Sequence, residues 1–251
     1  MALLVNKNQY VKRMNDAMKH KSKILDYLHG EKILDFGCGT GMLASEIKDR
    51  FPLRVVHGYD YNSEMIKIAQ TYAHPEVRFT DRFPKEKYDT IILSSVLHEV
   101  YSYEGGMDSV KKLLTQLRDL LYDEGVIVIR ECFGFKDMSA WEAYFKDQLD
   151  GYNFYEVYSA LYPWEIPNIE LTDKGYKIYG SYDVVAEFLN KYTWGWASLP
   201  REINERLYFI DNKAEWYDLG EELGFHVKSD LDQQKDYFDY LDKKVYNYNK
   251  M

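Results

Sequence analysis

The residues best suited to chemistry form a glycine-rich turn at positions 35–41, spelled DFGCGTG. An apolar run, 32–36, precedes the turn and a predicted helix follows it, which is the context in which such a turn binds a ligand. Glycines there let a ligand approach the backbone without meeting a Cβ. A phosphate-binding loop would end in Gly-Lys-Ser/Thr, and a dinucleotide site usually shows G-x-G-x-x-G, whereas this turn has G-x-G-x-G. The remaining alternatives are another nucleoside site or a tight turn that binds nothing.

A second acid, Asp60, closes the next predicted strand, 54–59, and follows Gly41 by 19 residues. A carboxylate has enough acceptor sites to take two hydrogen bonds from a vicinal diol. Acidic surroundings also suit a ligand that carries a positive charge. We therefore expect the turn and Asp60 to bind one ligand together.

The turn and the spacing to Asp60 closely resemble the first two motifs of the class I S-adenosylmethionine-dependent methyltransferases. The resemblance covers residues 31–132 and, more weakly, the last predicted helix and strand. It implies S-adenosylmethionine as the cofactor and S-adenosylhomocysteine as the product. It implies no metal ion.

The resemblance also implies which residues contact each part of the cofactor. Asp60 is expected to hold the ribose, Tyr61 and Met65 to flank the adenine, and Asp81 with Arg82 to lie near the adenine amino group. Alternatively, Tyr61 and Met65 are ordinary core residues and Asp81 is a solvated loop acid. The residues expected around the methionine part are Asp35, Gly37, Cys38, Gly39, Gly41 and Ser94.

A histidine and two acids are the candidates for proton transfer. Many small-molecule methyltransferases of this superfamily have a Leu-His-His or Leu-His-Glu segment after the fourth strand, which resembles 97–99 here. His98 is the first candidate base, because the ordinary pKa of histidine lies near neutrality. Glu99 and Glu131 are the second candidates. A packing histidine and structural acids are the alternatives.

The stretch from Phe133 to Tyr217 is rich in aromatic residues, and the whole chain has 24 tyrosines. Trp194 and Trp196 could line an acceptor pocket, and Arg201 could bind an anionic group of the acceptor. Interleaved rings could also stack on a nucleobase. Packing of the rings within a subdomain is the alternative.

The elements that must position these residues alternate between strand and helix over 32–132. Short strands at 32–36, 54–59, 77–80, 88–95 and 126–130 are separated by amphipathic segments, the last of which starts at Asp108 and is stopped by Gly125. Apolar runs without alternation indicate strands that are covered on both faces. The pattern predicts an α/β fold with a doubly wound, mostly parallel sheet, and the resemblance implies seven strands.

Other elements flank this pattern. An amphipathic helix is predicted for residues 9–28 at the N-terminus. Residues 133–208 are predicted to be an aromatic-rich insertion or cap subdomain after strand five that forms the acceptor pocket, within one methyltransferase domain spanning 1–251. Beyond residue 133, the sequence predicts helices at 138–149, 184–191 and 211–223, an irregular stretch at 152–182, and final strands at 226–231 and 244–248.

Composition excludes several classes of protein. The formal net charge of -9 disfavours non-specific binding to nucleic acid or to a membrane surface. Only Cys38 and Cys132 are present, so neither a disulfide framework nor a zinc site is indicated and a cytoplasmic location is expected. No apolar run is long enough to span a membrane.

These observations predict a methyltransferase that acts on an oxygen or nitrogen of a small-molecule or nucleotide-like acceptor. Two alternatives use the same cofactor fold. The first is another group transfer, such as transfer of an aminopropyl group. The second is a non-catalytic module that binds S-adenosylmethionine. The sequence does not indicate the oligomeric state.

Overall fold

The computed structural model describes residues 21–132, 140–210, 212–228 and 244–246. These residues form two compact units. We call residues 21–100 and 105–131 the sheet unit, and the remaining described residues, 101–104 and those from 132 onward, the aromatic unit.

The sheet unit contains a five-stranded parallel sheet in the order β3-β2-β1-β4-β5. The strand order reverses beside β1, which is where ligands bind in open α/β sheets. The predicted α/β fold is therefore confirmed. The expected seven strands are not found, since the described residues of this sheet form five. The strands are β1 (Lys32–Phe36), β2 (Val55–Tyr59), β3 (Arg78–Thr80), β4 (Tyr88–Ser94) and β5 (Leu121–Arg130).

The helices of this unit follow the predicted alternation. The prediction that the last helix is stopped by Gly125 is wrong, because the helix ends at Arg118 and Leu121 begins β5, where it pairs with Tyr88. Of the predicted N-terminal helix, residues 9–20 lie outside the described residues, and Ser22–Tyr27 forms a 3-10 helix. The α-helices are α1 (Met42–Arg50), α2 (Ser63–Tyr72), α3 (Leu97–Glu104), whose last four residues belong to the aromatic unit, and α4 (Met107–Arg118).

One apolar face of the sheet positions the candidate site. Ile33 of β1, Ile92 of β4 and Val128 of β5 pack with Leu43 and Ile47 of α1 in one hydrophobic cluster. Side chains two residues apart on a strand share a face. The residues two positions further along these three strands therefore lie on the same face, at the carboxyl end of the sheet.

The aromatic unit has a four-stranded antiparallel sheet in the order β7-β8-β6-β9. Its core contains Phe154, Tyr158, Phe188 and Tyr192, all fully buried. These four rings therefore agree with the interpretation that the aromatic residues pack within a subdomain. The elements are β6 (Trp141–Phe145), α5 (Gln148–Leu161), β7 (Asn168–Thr172), β8 (Gly175–Gly180), α6 (Tyr182–Trp194), α7 (Leu199–Glu202), α8 (Lys213–Glu222) and β9 (Val245–Tyr246).

Several expectations for this part of the chain are wrong. The segment 138–149 was predicted to be a helix, but it contains the strand β6. Trp141, Ala143 and Phe145 are buried with the two-residue period of a strand. The stretch 152–182, expected to be irregular, holds most of α5 and the hairpin of β7 and β8.

The two final strands predicted for the main sheet are not found there. Val245–Tyr246 pairs with β6 in the antiparallel sheet. Residues 226–228 have no regular structure, and 229–231 lie outside the described residues. The helices predicted at 184–191 and 211–223 correspond to α6 and α8, and Asn212 caps α8 by accepting a hydrogen bond from the Glu215 amide at 3.1 Å.

The predicted acceptor role of residues 133–208 stays a prediction, and residues 133–139 lie outside the described residues. None of the helices in the described part of the chain has the length and apolar character needed to cross a membrane.

Candidate functional site

The glycine-rich turn connects β1 to α1 and is held against the end of β2. The amides of Gly37 and Cys38 both donate to the carbonyl oxygen of Tyr59, at 2.7 and 2.8 Å. Gly41 has a φ of 77°, and a Cβ added there would lie 2.6 Å from the Phe79 ring. The turn therefore requires glycine at position 41 for both its backbone conformation and its packing.

Cys38 lies buried inside this turn. Burial raises the pKa of its thiol far above the usual range, and the nearby carboxylates of Asp35 and Asp60 raise it further. Cys38 is therefore a neutral thiol that packs in the turn, and a reactive thiolate is disfavoured.

Asp60 joins the turn to the start of α2. Its Oδ2 accepts a hydrogen bond from the Gly39 amide at 2.8 Å, and its Oδ1 accepts one from the Asn62 amide at 2.9 Å. Burial raises the pKa of this carboxyl, while the two amides lower it. Each carboxylate oxygen has a second lone-pair direction, so Asp60 can accept further hydrogen bonds from a ligand.

Three polar residues end the apolar face described above: Asp35 on β1, Ser94 on β4 and Arg130 on β5. They follow Ile33, Ile92 and Val128 by two residues, and the register pairs Ser94 directly with Arg130. Asp35 is 2% exposed and Ser94 is 7% exposed. The chain thus places an acid, a hydroxyl and a cation on one face at the carboxyl end of the sheet, with Asp35 two residues short of the level of Ser94 and Arg130. We call these three residues the row.

The row and the turn contain buried polar atoms that lack hydrogen-bond partners in the described part of the chain. Buried polar groups in folded proteins are almost always paired. A group of such atoms at one edge of a sheet indicates that a ligand or water completes their bonding. The atoms are Asp35 Oδ2, Thr40 Oγ1, Ser94 Oγ and Arg130 Nε.

The charges at this edge interact. Burial raises the pKa of Asp35 to about 6, Lys21 opposes that rise, and Asp60 adds to it. Burial likewise lowers the pKa of the Lys21 ammonium, which interacts with Asp35, Arg130 and Glu131. The edge therefore holds two cations beside a carboxyl that titrates near neutrality.

His98 and Glu131 form a buried hydrogen-bonded pair. His98 Nδ1 lies 2.9 Å from Glu131 Oε2, and the amides of Val96 and Leu97 each donate to Glu131 Oε1 at 2.6 Å. The two side chains are 7% and 3% exposed. Glu131 is thereby committed to three hydrogen bonds, so its position suits orienting His98 better than acting as a base. The remaining candidate, Glu99, is partly exposed in the first turn of α3.

The residues expected near an adenine lie at the carboxyl ends of β2 and β3. Tyr61 is 76% exposed, Met65 is partly buried, and Asp81 and Arg82 are exposed. The sequence reading missed Phe83, whose partly exposed ring lies 5.8 Å from those of Phe36 and Tyr59. Its position two residues after Asp81 was an available signal.

The sequence reading also missed three polar residues. Thr40 stands inside the motif itself, and Arg130 is the one charged residue that ends the apolar run VIVIR, so both had a visible signal. Lys21 had none, because its proximity to Asp35 depends on tertiary structure.

Two of the three residues expected to bind an acceptor, Trp196 and Arg201, have partners within the aromatic unit. The Trp196 indole donates to Asp150 at 2.8 Å. The Arg201 guanidinium pairs with the neighbouring Glu202 through Nε, at 2.9 Å, and through Nη2. Trp194 is partly exposed at the end of α6. Their contact with an acceptor stays a prediction.

No cluster of three or more histidine, cysteine, aspartate or glutamate side chains suited to a metal ion occurs among the described residues.

Comparison with known proteins identifies the family. A family model described as a methyltransferase domain matches residues 10–229. The chain belongs to this family. The resemblance to class I methyltransferases is thus confirmed at the level of the family and of the fold.

Two curated relatives match shorter parts of the methyltransferase domain. The malonyl-[acyl-carrier protein] O-methyltransferase of Halalkalibacterium halodurans is 29% identical over 107 residues, covering 38% of this chain and 37% of that protein. The ribosomal RNA small subunit methyltransferase C of Hahella chejuensis is 35% identical over 57 residues, covering 23% and 17%. The chain therefore spans well under half the length of these relatives.

A solved structure aligns with most of the chain. The alignment with the pyocyanin biosynthetic protein PhzM covers 91% of this chain and 56% of the PhzM chain, with a TM-score of 0.54 and 16% identity. At that identity the similarity concerns the fold alone.

Proposed function

We propose that this protein is an S-adenosylmethionine-dependent methyltransferase that transfers a methyl group to an oxygen or nitrogen atom of a small-molecule or nucleotide-like acceptor. The observation that carries the proposal is the incomplete bonding at the carboxyl end of the sheet. Asp35 Oδ2, Thr40 Oγ1 and Ser94 Oγ are buried without partners in the described part of the chain, next to the glycine-rich turn.

The residues present fit the cofactor. The second lone pairs of Asp60 suit the two ribose hydroxyls, and Asp35 suits the ammonium of the methionine part. Tyr61, Met65 and Phe83 offer apolar and aromatic surface for the adenine. When bound, the cofactor supplies an electrophilic methyl group on a sulfonium, and the protein has to align the acceptor with it.

His98 is the proposed base for an acceptor that must lose a proton. Because Glu131 accepts from Nδ1, the imidazole holds its proton there and Nε2 is the basic nitrogen. A base in this position takes a proton from an acceptor hydroxyl or amine as the new bond forms. Glu131 then stabilises the imidazolium that results.

The name of the Halalkalibacterium halodurans relative specifies O-methylation, which supports an oxygen acceptor for this chain. Trp194, Trp196 and Arg201 remain the proposed acceptor contacts of the aromatic unit.

A labelling experiment tests the proposal. The purified protein is incubated with S-adenosylmethionine carrying a labelled methyl group and with pools of carboxylic acids, alcohols, phenols and amines. We expect labelled products and equimolar S-adenosylhomocysteine. Methylthioadenosine would instead indicate aminopropyl transfer, and tight binding without any product would indicate a binding module.

An Asp60→Ala variant tests the binding part separately. Loss of a charged hydrogen-bond acceptor should weaken the binding of S-adenosylhomocysteine by about 1–3 kcal/mol in calorimetry. Asp49→Ala, which removes an exposed acid of α1, is the matched control and should bind as the wild type does. Equal affinities for all three proteins would remove Asp60 from the site.

A further inference from the structure

Arg130 is a charged residue that follows the apolar run 126–129 at the end of β5, and none of the roles proposed above belongs to it. Its Nη1 donates to Ser95 Oγ at 3.1 Å, and its Nε is buried without a hydrogen-bond partner in the described part of the chain. A guanidinium has five donors and no acceptor. Arg130 is partly buried, and burying a charged N–H donor without an acceptor is costly, so its Nε indicates a missing acceptor, for which an anion is the best match.

The sheet register places Arg130 with the cofactor residues. Arg130 pairs with Ser94, and Asp35 pairs with Ile92, which precedes Ser94 by two residues on the same face. Neighbouring strands lie about 4.8 Å apart, so β5 is about 10 Å from β1. Arg130 is also two residues further along its strand than Asp35, so the α-carbons of the two residues are about 12 Å apart. That span is suited to one small ligand group between an arginine and an aspartate.

The next residue along the chain serves a different group. Glu131 bonds to His98 and to the amides of Val96 and Leu97. Arg130 therefore belongs to the row that contains Asp35 and Ser94, whereas the proposed base is held by its neighbour.

The charges at this edge match a zwitterion. Lys21 is a second cation that interacts with both Asp35 and Arg130. A ligand with only an ammonium group would meet Asp35 but be repelled by the two cations. A ligand that carries an ammonium and a carboxylate together, as an α-amino acid does, satisfies both signs of charge.

We propose that Arg130 binds the carboxylate of the cofactor's amino-acid end, while Asp35 binds the ammonium of that same end. This inference rests on the proposed function and adds to it a residue that determines which sulfonium nucleosides bind. The Nε and Nη2 atoms of a guanidinium form the adjacent donor pair that fits a carboxylate side-on. Nη1 is then left for Ser95, as observed.

The test compares two ligands that differ only in the carboxylate. Calorimetry measures the affinities of S-adenosylhomocysteine and decarboxylated S-adenosylhomocysteine for the wild type and for Arg130→Gln. We expect the wild type to prefer the carboxylated ligand by about 10- to 100-fold, the effect of a charged hydrogen-bonded pair. In Arg130→Gln this preference should fall by about tenfold or more, because only the carboxylated ligand loses affinity.

Arg50→Gln is the matched control. Arg50 is an exposed arginine of α1 that pairs with Glu46 at 2.6 Å, so its replacement should leave the preference between the two ligands unchanged. Thermal unfolding of each variant shows whether it is folded. If Arg130→Gln does not fold, Arg130→Lys replaces it, because lysine keeps the charge but lacks the planar donor pair, and the preference should still fall.

Each outcome is decisive. A wild type that binds both ligands equally, or an Arg130 variant that keeps the full preference, overturns the role of Arg130 and leaves the proposed function intact. A folded wild type that binds neither ligand overturns the proposed function itself.

Discussion

The two ends of the parallel sheet differ in how completely their polar groups are bonded. At the amino end, Asp89 Oδ2 accepts from the amides of Glu31 and Lys32 at 2.9 and 2.8 Å. Glu86 pairs with Lys32 at 2.6 Å and with Arg78 at 3.0 Å. This end is a closed network that holds the strand ends together.

The hydrogen bonding of buried polar groups at the carboxyl end of the sheet is, by contrast, incomplete. Asp35, Thr40, Ser94 and Arg130 each have a buried atom that lacks a partner in the described part of the chain. Arg54 Nη1 is a similar atom near the amino end, but its guanidinium lies 4.4 Å from the Phe51 ring, which compensates part of the loss. Within the parallel sheet, buried polar atoms without partners therefore gather at the end where a ligand is expected, whereas most polar groups at the amino end are bonded to one another.

The largest effect is expected on turnover, when the proposed base at the carboxyl end of the sheet is removed. His98→Ala should lower turnover by about 100- to 10,000-fold, because proton transfer in the transition state is lost. Steady-state kinetics with an acceptor found by the labelling experiment measure the effect. His29→Ala, at the amino end of the sheet, is the matched control and should keep wild-type turnover. An active His98→Ala enzyme would mean that the acceptor reacts without this base.

The second prediction concerns Asp35. Asp35→Asn should weaken the binding of S-adenosylhomocysteine by about 1.5–3 kcal/mol, because an ammonium loses its charged partner. Wild-type affinity should also fall as the pH drops below about 6, where Asp35 becomes protonated. Asp60 has a raised pKa as well, but it is present in both proteins, so the difference between wild type and Asp35→Asn isolates Asp35.

The ionisation of Asp35 should also make the free energy of unfolding depend on pH in a defined direction. The pKa of Asp35 is 3.8 in the unfolded chain and about 6 in the fold, so the folded state holds the extra proton between those values. The free energy of unfolding contributed by Asp35 is therefore highest at low pH and falls as the pH rises from about 4 to about 6. Urea unfolding across this range should show the fall in the wild type and a flatter profile in Asp35→Asn. Identical profiles would contradict the raised pKa.

The third prediction concerns the amino end. Asp89→Ala removes the acceptor for two backbone amides and should lower the free energy of unfolding by about 1–2 kcal/mol. Binding of S-adenosylhomocysteine by the folded variant should not change, because the network at this end completes itself without a ligand. Urea denaturation and calorimetry measure the two quantities. A large loss of affinity would show that the two ends of the sheet are coupled.

The smallest effect is expected at the exposed pairs of the amino end. Glu86→Gln breaks the contacts with Lys32 and Arg78, and it should lower the free energy of unfolding by about 0.2–1 kcal/mol, the usual value for surface ion pairs. The loss should shrink further in high salt, where exposed charges are screened. Urea denaturation at low and high salt measures both effects, and a loss that is independent of salt would argue against an ion-pair origin.

The parallel sheet was predictable because most of its strands contain a short apolar run between turn residues, whereas the polar first half of β5 was not predicted as strand. Asp60 was predictable because it closes one of these runs at a fixed spacing from the turn. The strand β6 was not, because its apolar residues fit both a strand and a helix, and only pairing with β8 and β9 distinguishes the two. The strand β9 was assigned to the wrong sheet, because the sequence of a strand does not specify which strand it pairs with.

Within the candidate site, the features that the sequence determined are local along the chain, and those that the tertiary structure decided are not. The sequence by itself determined the glycine-rich turn and the acid after β2, since the backbone conformation and the spacing of these groups are local properties. Only the tertiary structure decided that Glu131 holds His98 and that Asp35, Ser94 and Arg130 form one row. Those contacts join residues that are far apart along the chain, and they depend on strand register, which arises from pairing between strands and not from any single segment.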